Sequence, residues 1–164
     1  MLELSRISGA TGRIETIDLE RFLHELIDFL DLSADVEVVL RDDWPSIDAN
    51  PALLRQIFQN LIINAIKFNL SSGKRVEIDW RPVGQEHYEF CVRDNGIGIE
   101  PRYHEQIFRV FQRLHTREEY EGTGIGLAIV KKAISKLHGS ISIKSELGKG
   151  SSFLVTLPNT QKEI

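Results

Sequence analysis

From Asp18 onward the apolar residues Leu19, Phe22, Leu23, Leu26, Ile27 and Leu30 recur at steps of three and four, which predicts an amphipathic helix with one buried face. Val36 to Leu40 is a short β-branched run and predicts a strand. Asn50-Pro51 marks a second helix start, because Asn can accept an orphan backbone N–H and Pro loses nothing at the first helical position. That helix should reach about Phe68. Its apolar positions Leu53, Leu54, Ile57, Phe58, Leu61, Ile62, Ala65 and Ile66 face a core, while Asn60, Asn64 and Lys67 form a polar seam. Strands follow at Arg75 to Trp80 and Tyr88 to Arg93, joined as a hairpin around Val83-Gly84-Gln85-Glu86. A glycine loop (Asp94 to Ile99), a short helical piece (Pro101 to Phe108) and a polar stretch (Gln112 to Glu121) come next. A second glycine loop, Gly122 to Gly126, opens a helix that ends at His138-Gly139. Ser140 to Ser145 and Ser151 to Leu157 close the pattern as a hairpin across Gly148-Lys149-Gly150. Helices that can all lie on one side of these strands predict an α/β (α+β) two-layer sandwich. The sheet would be mixed and mostly antiparallel, with about five strands under about three main helices.

Composition narrows the classes. A chain of 164 residues with 41% hydrophobic and 27% charged residues can bury a full core, which excludes a disordered or disulfide-dependent scaffold. The balance of 20 Lys plus Arg against 24 Asp plus Glu gives a net charge of −4, with no general attraction to nucleic acid or an anionic membrane. Any phosphate must be held by local geometry. Cys91 is the one cysteine, so no intramolecular disulfide exists and a reducing compartment fits. No apolar run approaches the roughly 18 residues that span a bilayer, so a cytoplasmic domain without direct membrane contact is expected.

Three segments carry candidate chemistry. Asn60 and Asn64 are four apart and project from one helix face, with Lys67 along the same seam. Amide oxygens suit Mg²⁺ that already carries phosphates, and Lys67 supplies a point charge; a solvated helix face is the plainer alternative. Asp94-Asn95-Gly96-Ile97-Gly98-Ile99 follows a strand directly, so its carboxylate could accept a ligand amine; alone it is equally a tight turn. Gly122-Thr123-Gly124-Ile125-Gly126-Leu127 leads into a helix whose first amides form an anion site. It lacks both the preceding apolar strand of a dinucleotide fingerprint and the terminal Gly-Lys-Ser/Thr of a P-loop.

The segments QNLIINAIKF, DNGIGI, IFRVFQR and GTGIGLAIVKK, in this order and at these separations, resemble the ATP-binding catalytic domain of sensor histidine kinases in the GHKL superfamily. The likeness extends over about Ile17 to Pro158, and FQRLHTREEYEGTGIGLAIVKK is most similar to kinases attached to phytochrome-type sensor modules. The resemblance implies that Asn64 and Asn60 bind Mg²⁺ and phosphate, that Lys67 contacts phosphate, and that Phe68 flanks the nucleotide. Asp94 would accept the adenine amine of ATP beside Gly96, Gly98 and Ile99, and Thr156 on the last strand would help hold the base. Phe108 and Phe111 match an aromatic box, and Arg113 a lid arginine that reaches the γ-phosphate. Residues 112–121 would be a mobile lid closed by Gly122, Thr123, Gly124 and Gly126, with Leu127 packed beneath.

The same resemblance implies boundaries and partners. Residues 1–16 would be the tail of a dimerisation helix and a linker, 17–160 the ATP-binding domain, and 161–164 a tail. The phospho-acceptor would be a histidine on an upstream dimerisation domain absent from this chain, with a response regulator reached indirectly. Superfamily members that hydrolyse ATP carry Glu at the position of Asn60, and an amide has no basic electron pair to activate water, which favours transfer over hydrolysis. An ATPase and a nucleotide-responsive interaction module without phosphotransfer are the alternatives. His24-Glu25 sits inside the first helix and lacks the Arg and Pro of a phospho-accepting motif, so it reads as a helix-surface imidazole. Trp44 and Trp80 read as packing anchors, and Cys91 as a small core side chain.

Overall fold

The computed structural model describes residues 13–108 and 126–160. Strands β1 (Glu15–Asp18) and β3 (Ser46–Ala49) form a two-stranded antiparallel ribbon. A five-stranded sheet has the order β2-β4-β5-β7-β6, built from β2 (Val36–Leu40), β4 (Lys74–Val83), β5 (His87–Asp94), β6 (Ser140–Ser145) and β7 (Ser151–Pro158). β2 runs parallel to β4 and the other pairs are antiparallel, so the sheet is mixed and mostly antiparallel as expected. Three α-helices, α1 (Leu19–Leu30), α2 (Pro51–Lys67) and α3 (Gly126–Lys136), cover one face. The expected helical piece after the first glycine loop is two short 3-10 turns, Pro101–Tyr103 and Gln106–Phe108.

The helix boundaries follow from their caps. Asp18 accepts the Arg21 N–H at 3.4 Å to start α1, and Asn50 accepts the Ala52 and Leu53 N–H groups at 2.9 and 3.3 Å to start α2, with Pro51 in the first turn. At the end of α3, His138 turns left-handed with φ of 61°. Gly139 then passes so close to the Thr156 carbonyl that a Cβ would collide with it.

The β1–β3 ribbon is not legible in the sequence, since each four-residue strand carries too little alternation to register. Its ladder pairs Glu15 with Ala49 and Asp18 with Ser46, so it begins within the stretch read as linker. β1 runs directly into α1, and β3 reaches the Asn50 cap of α2, so the ribbon holds the starts of two helices side by side. β4 extends past its expected end through Pro82. That is tolerated because β2 ends opposite Ile78, leaving β4 with β5 alone beside Pro82.

The core lies between the helices and one sheet face. Phe58 of α2 is fully buried and meets Phe90 of β5 edge-on at 5.6 Å and Phe22 of α1 at 6.5 Å. Trp44 stacks on Phe90 at 6.3 Å and the partly buried Trp80 meets Tyr88 edge-on at 5.4 Å, so both tryptophans pack as anchors. Cys91 is buried but points to the other face of the sheet, opposite Asp79 and Leu154, instead of into this core. Burial pushes its thiol pKa up, which keeps it unreactive. Among the described residues no helix is long and apolar enough to cross a membrane.

Phe58→Ala is expected to cost about 3–5 kcal/mol of folding stability, because α1, α2 and β5 lose their shared contact. Equilibrium urea unfolding monitored by tryptophan fluorescence measures this.

Candidate functional site

The site is assembled where β5 ends. Asp94 is its last residue, half-buried, with its carboxylate clamped on one side: Oδ1 accepts the Gly96 N–H at 2.8 Å and the Ser151 N–H at 3.2 Å. Oδ2 has no hydrogen-bond partner among the described residues. Burial raises the Asp94 pKa above the ordinary carboxylate value of 3.8, and the two backbone N–H groups oppose that rise. The result is an oriented, partly desolvated acceptor whose remaining oxygen favours an N–H donor and disfavours a carbonyl.

The glycines around it are required by the chain's own backbone. A Cβ at Gly96 would collide with the Phe68 carbonyl, which also accepts the Ile97 N–H at 3.0 Å. Gly98 has φ of +74° and passes the Glu146 carbonyl at a separation too small for a side chain; Gly150, φ +88°, passes the Asp94 carbonyl in the same way. The first glycine loop is therefore wedged between the end of α2 and the turn joining β6 to β7.

On α2, the Asn60 Nδ2 donates to the Gln56 main-chain carbonyl at 2.7 Å. A carbonyl can only accept, so the amide's orientation is settled and Oδ1 is the atom left available. A Cβ at Gly126 would stand 3.5 Å from that oxygen, so the first residue of α3 lies beside Asn60. The positive end of the α3 dipole thus adjoins the polar seam of α2. Asn64 is half-buried with no side-chain hydrogen bond among the described residues, and Lys67 is exposed in the last turn of the helix. The Asn60 amide oxygen lies beside the first residue of α3, and Asn64 stands one turn further along α2; neutral amide oxygens are donors suited to a hard cation that brings its own phosphate ligands.

A family model described as "Histidine kinase-, DNA gyrase B-, and HSP90-like ATPase" matches residues 49–161. The chain belongs to that family. It is 47% identical over 120 residues to cyanobacterial phytochrome A of Nostoc sp., covering 73% of this chain and 16% of that protein. It is 39% identical over 158 residues to the circadian input-output histidine kinase CikA of Synechococcus elongatus, covering 94% of this chain and 20% of that protein. Among solved structures, full-length ShkA in complex with AMPPNP superposes with a TM-score of 0.80 at 25% identity, over 99% of this chain and 35% of that one. The chain spans a fifth or less of the length of these two curated relatives. Its fold and motifs are those of a histidine-kinase ATP-binding catalytic domain.

Within this histidine-kinase fold the residues singled out in the sequence fall into three groups. Asn60, Asn64, Lys67, Phe68, Asp94, Gly96, Gly98 and Gly126 lie on elements that converge at the end of β5 and the facing flank of α2. Arg113, Gly122, Thr123 and Gly124 lie outside the described residues, as do Phe111 and the expected lid. Ile99, Phe108 and Leu127 are held by the protein itself. Ile99 donates its N–H to Ser145 Oγ at 2.6 Å, Leu127 packs against the core, and the Phe108 ring meets Phe153 edge-on at 6.2 Å with the Lys131 ammonium over its face.

Thr156 requires correction. Phe153, Val155 and Leu157 of β7 point into the core, so Thr156 points to the opposite face, where it sits across from Glu89 and Ser140. The β7 residue at Asp94 is Ser151, buried, with its N–H on the carboxylate and its hydroxyl 2.7 Å from Ser145 Oγ. The apolar phase of β7 tells the two faces apart, Ser151 with Phe153 and Thr156 against them, and strand register then decides that Ser151 is the residue at Asp94.

A raised folded-state pKa means that ionising Asp94 lowers stability as pH rises through that pKa. Asp94→Asn keeps the Oδ1 acceptor and removes the charge. The nucleotide-free variant is expected to be at least as stable as wild type at pH 7, with the difference shrinking as pH falls through the raised folded-state pKa and gone below the unfolded value of 3.8. Urea titrations across pH measure this.

Proposed function

We propose that this domain binds Mg·ATP and donates the γ-phosphoryl group to a histidine on an adjacent helical dimerisation domain. The observation that carries the reading is the Asp94 carboxylate, one oxygen fixed by two backbone amides and the other unpartnered among the described residues. An adenine amine satisfies that oxygen, whereas guanine would oppose it with a carbonyl. The relatives' names, phytochrome and histidine kinase, support the reaction class.

In the proposed reaction an imidazole nitrogen of the acceptor histidine attacks the γ-phosphorus and loses its proton to solvent. The bond from that phosphorus to the bridging oxygen breaks, and ADP leaves. Mg²⁺ supplies charge neutralisation on the phosphates. Asn60 and Asn64 supply oxygen ligands, Lys67 and Arg113 supply positive charge, and the glycine-loop amides at the start of α3 supply hydrogen bonds. The role of Asn60 is to orient: its NH₂ is committed to the Gln56 carbonyl and it has no basic electron pair, which argues against an ATPase. We assign residues 1–16 to the end of the dimerisation helix and a linker, and 17–160 to the catalytic domain. A response regulator would take the phosphoryl group from the histidine, in the cytoplasm, where ATP is available.

Asp94→Asn should weaken ATP binding by at least about a hundredfold, because a donor replaces the acceptor that adenine needs; calorimetric titration checks it, and unchanged affinity would sink the adenine assignment. Asn64→Ala should keep its fold and lose Mg²⁺-dependent labelling of a separately supplied histidine-bearing dimerisation domain by γ-labelled ATP. If the wild-type domain binds ATP but leaves that partner unlabelled, the chain is a nucleotide-responsive interaction module.

A further inference from the structure

The residue after the Phe68 cap of α2 plays no part in the reading above, yet its side chain is among the most completely bonded in the molecule. Asn69 is 2% exposed. Its Nδ2 donates to Asn95 Oδ1 at 2.6 Å, and its Oδ1 accepts the Ser71 N–H at 3.0 Å and the Ser71 hydroxyl at 2.5 Å. Asn95 is equally committed: its Oδ1 also accepts the Arg75 N–H at 2.9 Å, and its Nδ2 donates to the Gly73 carbonyl at 2.9 Å. The Asn95 amide therefore turns back toward residues 69–75 and away from any ligand that Asp94 would face. The Phe68 carbonyl and Ile97 N–H add a backbone bond across the same junction.

This junction joins the two halves of the site. Asp94 immediately precedes Asn95, and Lys67 and Asn64 lie two and five residues before Asn69. A nucleotide has a set distance between base and phosphates, so it gains from both contacts only if the carboxylate and the α2 seam are held at a matching separation. We propose that Asn69, acting through Asn95, is a positioning residue that locks the Asp94 loop to the end of α2 and so couples base recognition to phosphate and metal binding. The inference rests on the Mg·ATP reading. Only a primary amide meets the geometric demand, because it must accept from the turn at Ser71 and donate to the Asn95 carbonyl at once. A serine at 69 keeps an acceptor for the turn but is too short to reach Asn95.

The test uses the full chain and four variants: Asn69→Ser, Asn95→Ala, the double variant, and Ser71→Ala, which loosens the same turn without touching the Asn69–Asn95 bond. Calorimetric titration with ATP in Mg²⁺ should show about tenfold weaker binding for Asn69→Ser, as outer-shell losses produce at metal sites. Ser71→Ala should stay within about twofold, and the double variant should bind no worse than Asn95→Ala, since both changes remove one shared bond. Wild-type affinity in Asn69→Ser, equal weakening in Ser71→Ala, or additive losses in the double variant would each overturn the proposal. Amide hydrogen exchange on the nucleotide-free chain gives a readout independent of ATP. The Gly96 and Ile97 amides should exchange faster in Asn69→Ser while the middle of α2 stays unchanged, and equal protection overturns the clamp. Failure of the wild-type chain to bind Mg·ATP would refute the nucleotide reading, whereas binding by wild type with unaltered variants refutes only the coupling.

Discussion

Helix α2 must bury one side and keep the other chemically available, and the rest of the molecule is arranged around that constraint. Its inner side, centred on Phe58, is pressed onto Phe90 of the middle strand and onto Phe22 of α1. Side chains in such a close-packed contact have few alternative rotamers, so the helix cannot roll without opening voids. That immobility is what gives meaning to the polar seam of Asn60, Asn64 and Lys67. The same residues on a mobile surface helix would be solvated and would keep no fixed position relative to the Asp94 loop. The β1–β3 ribbon and the Asn50 cap fix where α2 begins, and the junction at Phe68 and Asn69 fixes where it stops.

Electrostatics at the site are local. A net charge of −4 gives no attractive field for a polyphosphate, so affinity has to come from placed groups. The structure supplies an oriented carboxylate at the end of β5 and, on α2, the Asn60 amide oxygen beside the first residue of α3. The carboxylate is costly to the empty protein, because burial favours its neutral form, and in the proposed reading a ligand amine would offset that cost. On that reading stability and binding would pull Asp94 in opposite directions, a pattern expected where a functional group is kept despite its effect on folding.

Much of the fold was readable in advance because helices and strands of this length repeat their apolar residues at the period of their own geometry. The three helices, the Asn50-Pro51 start and the two hairpins follow from such local rules. The site was readable to the extent that it consists of contiguous motifs: Asn60, Asn64 and Lys67 share a face by helix geometry, and Asp94 stands at a strand end followed by glycines. What was misread had weaker local signals. The place of Thr156 in the last strand suggests a contact with the base, yet its phase against Phe153 and Val155 puts it on the far side of the sheet. Strands of four residues, as in the β1–β3 ribbon, do not repeat often enough to announce themselves.

By itself, then, the sequence determined the elements, the sided character of α2 and the order of the nucleotide motifs, because these depend on residues within a turn or a strand of one another. Tertiary structure alone decided that Ser151 meets Asp94, that Gly96, Gly98 and Gly150 are demanded by neighbouring backbone, and that Asn69 bonds Asn95 across 26 residues of chain. Those are pairings between distant segments, set by strand register and by how closely two backbones approach, and no local periodicity encodes either quantity.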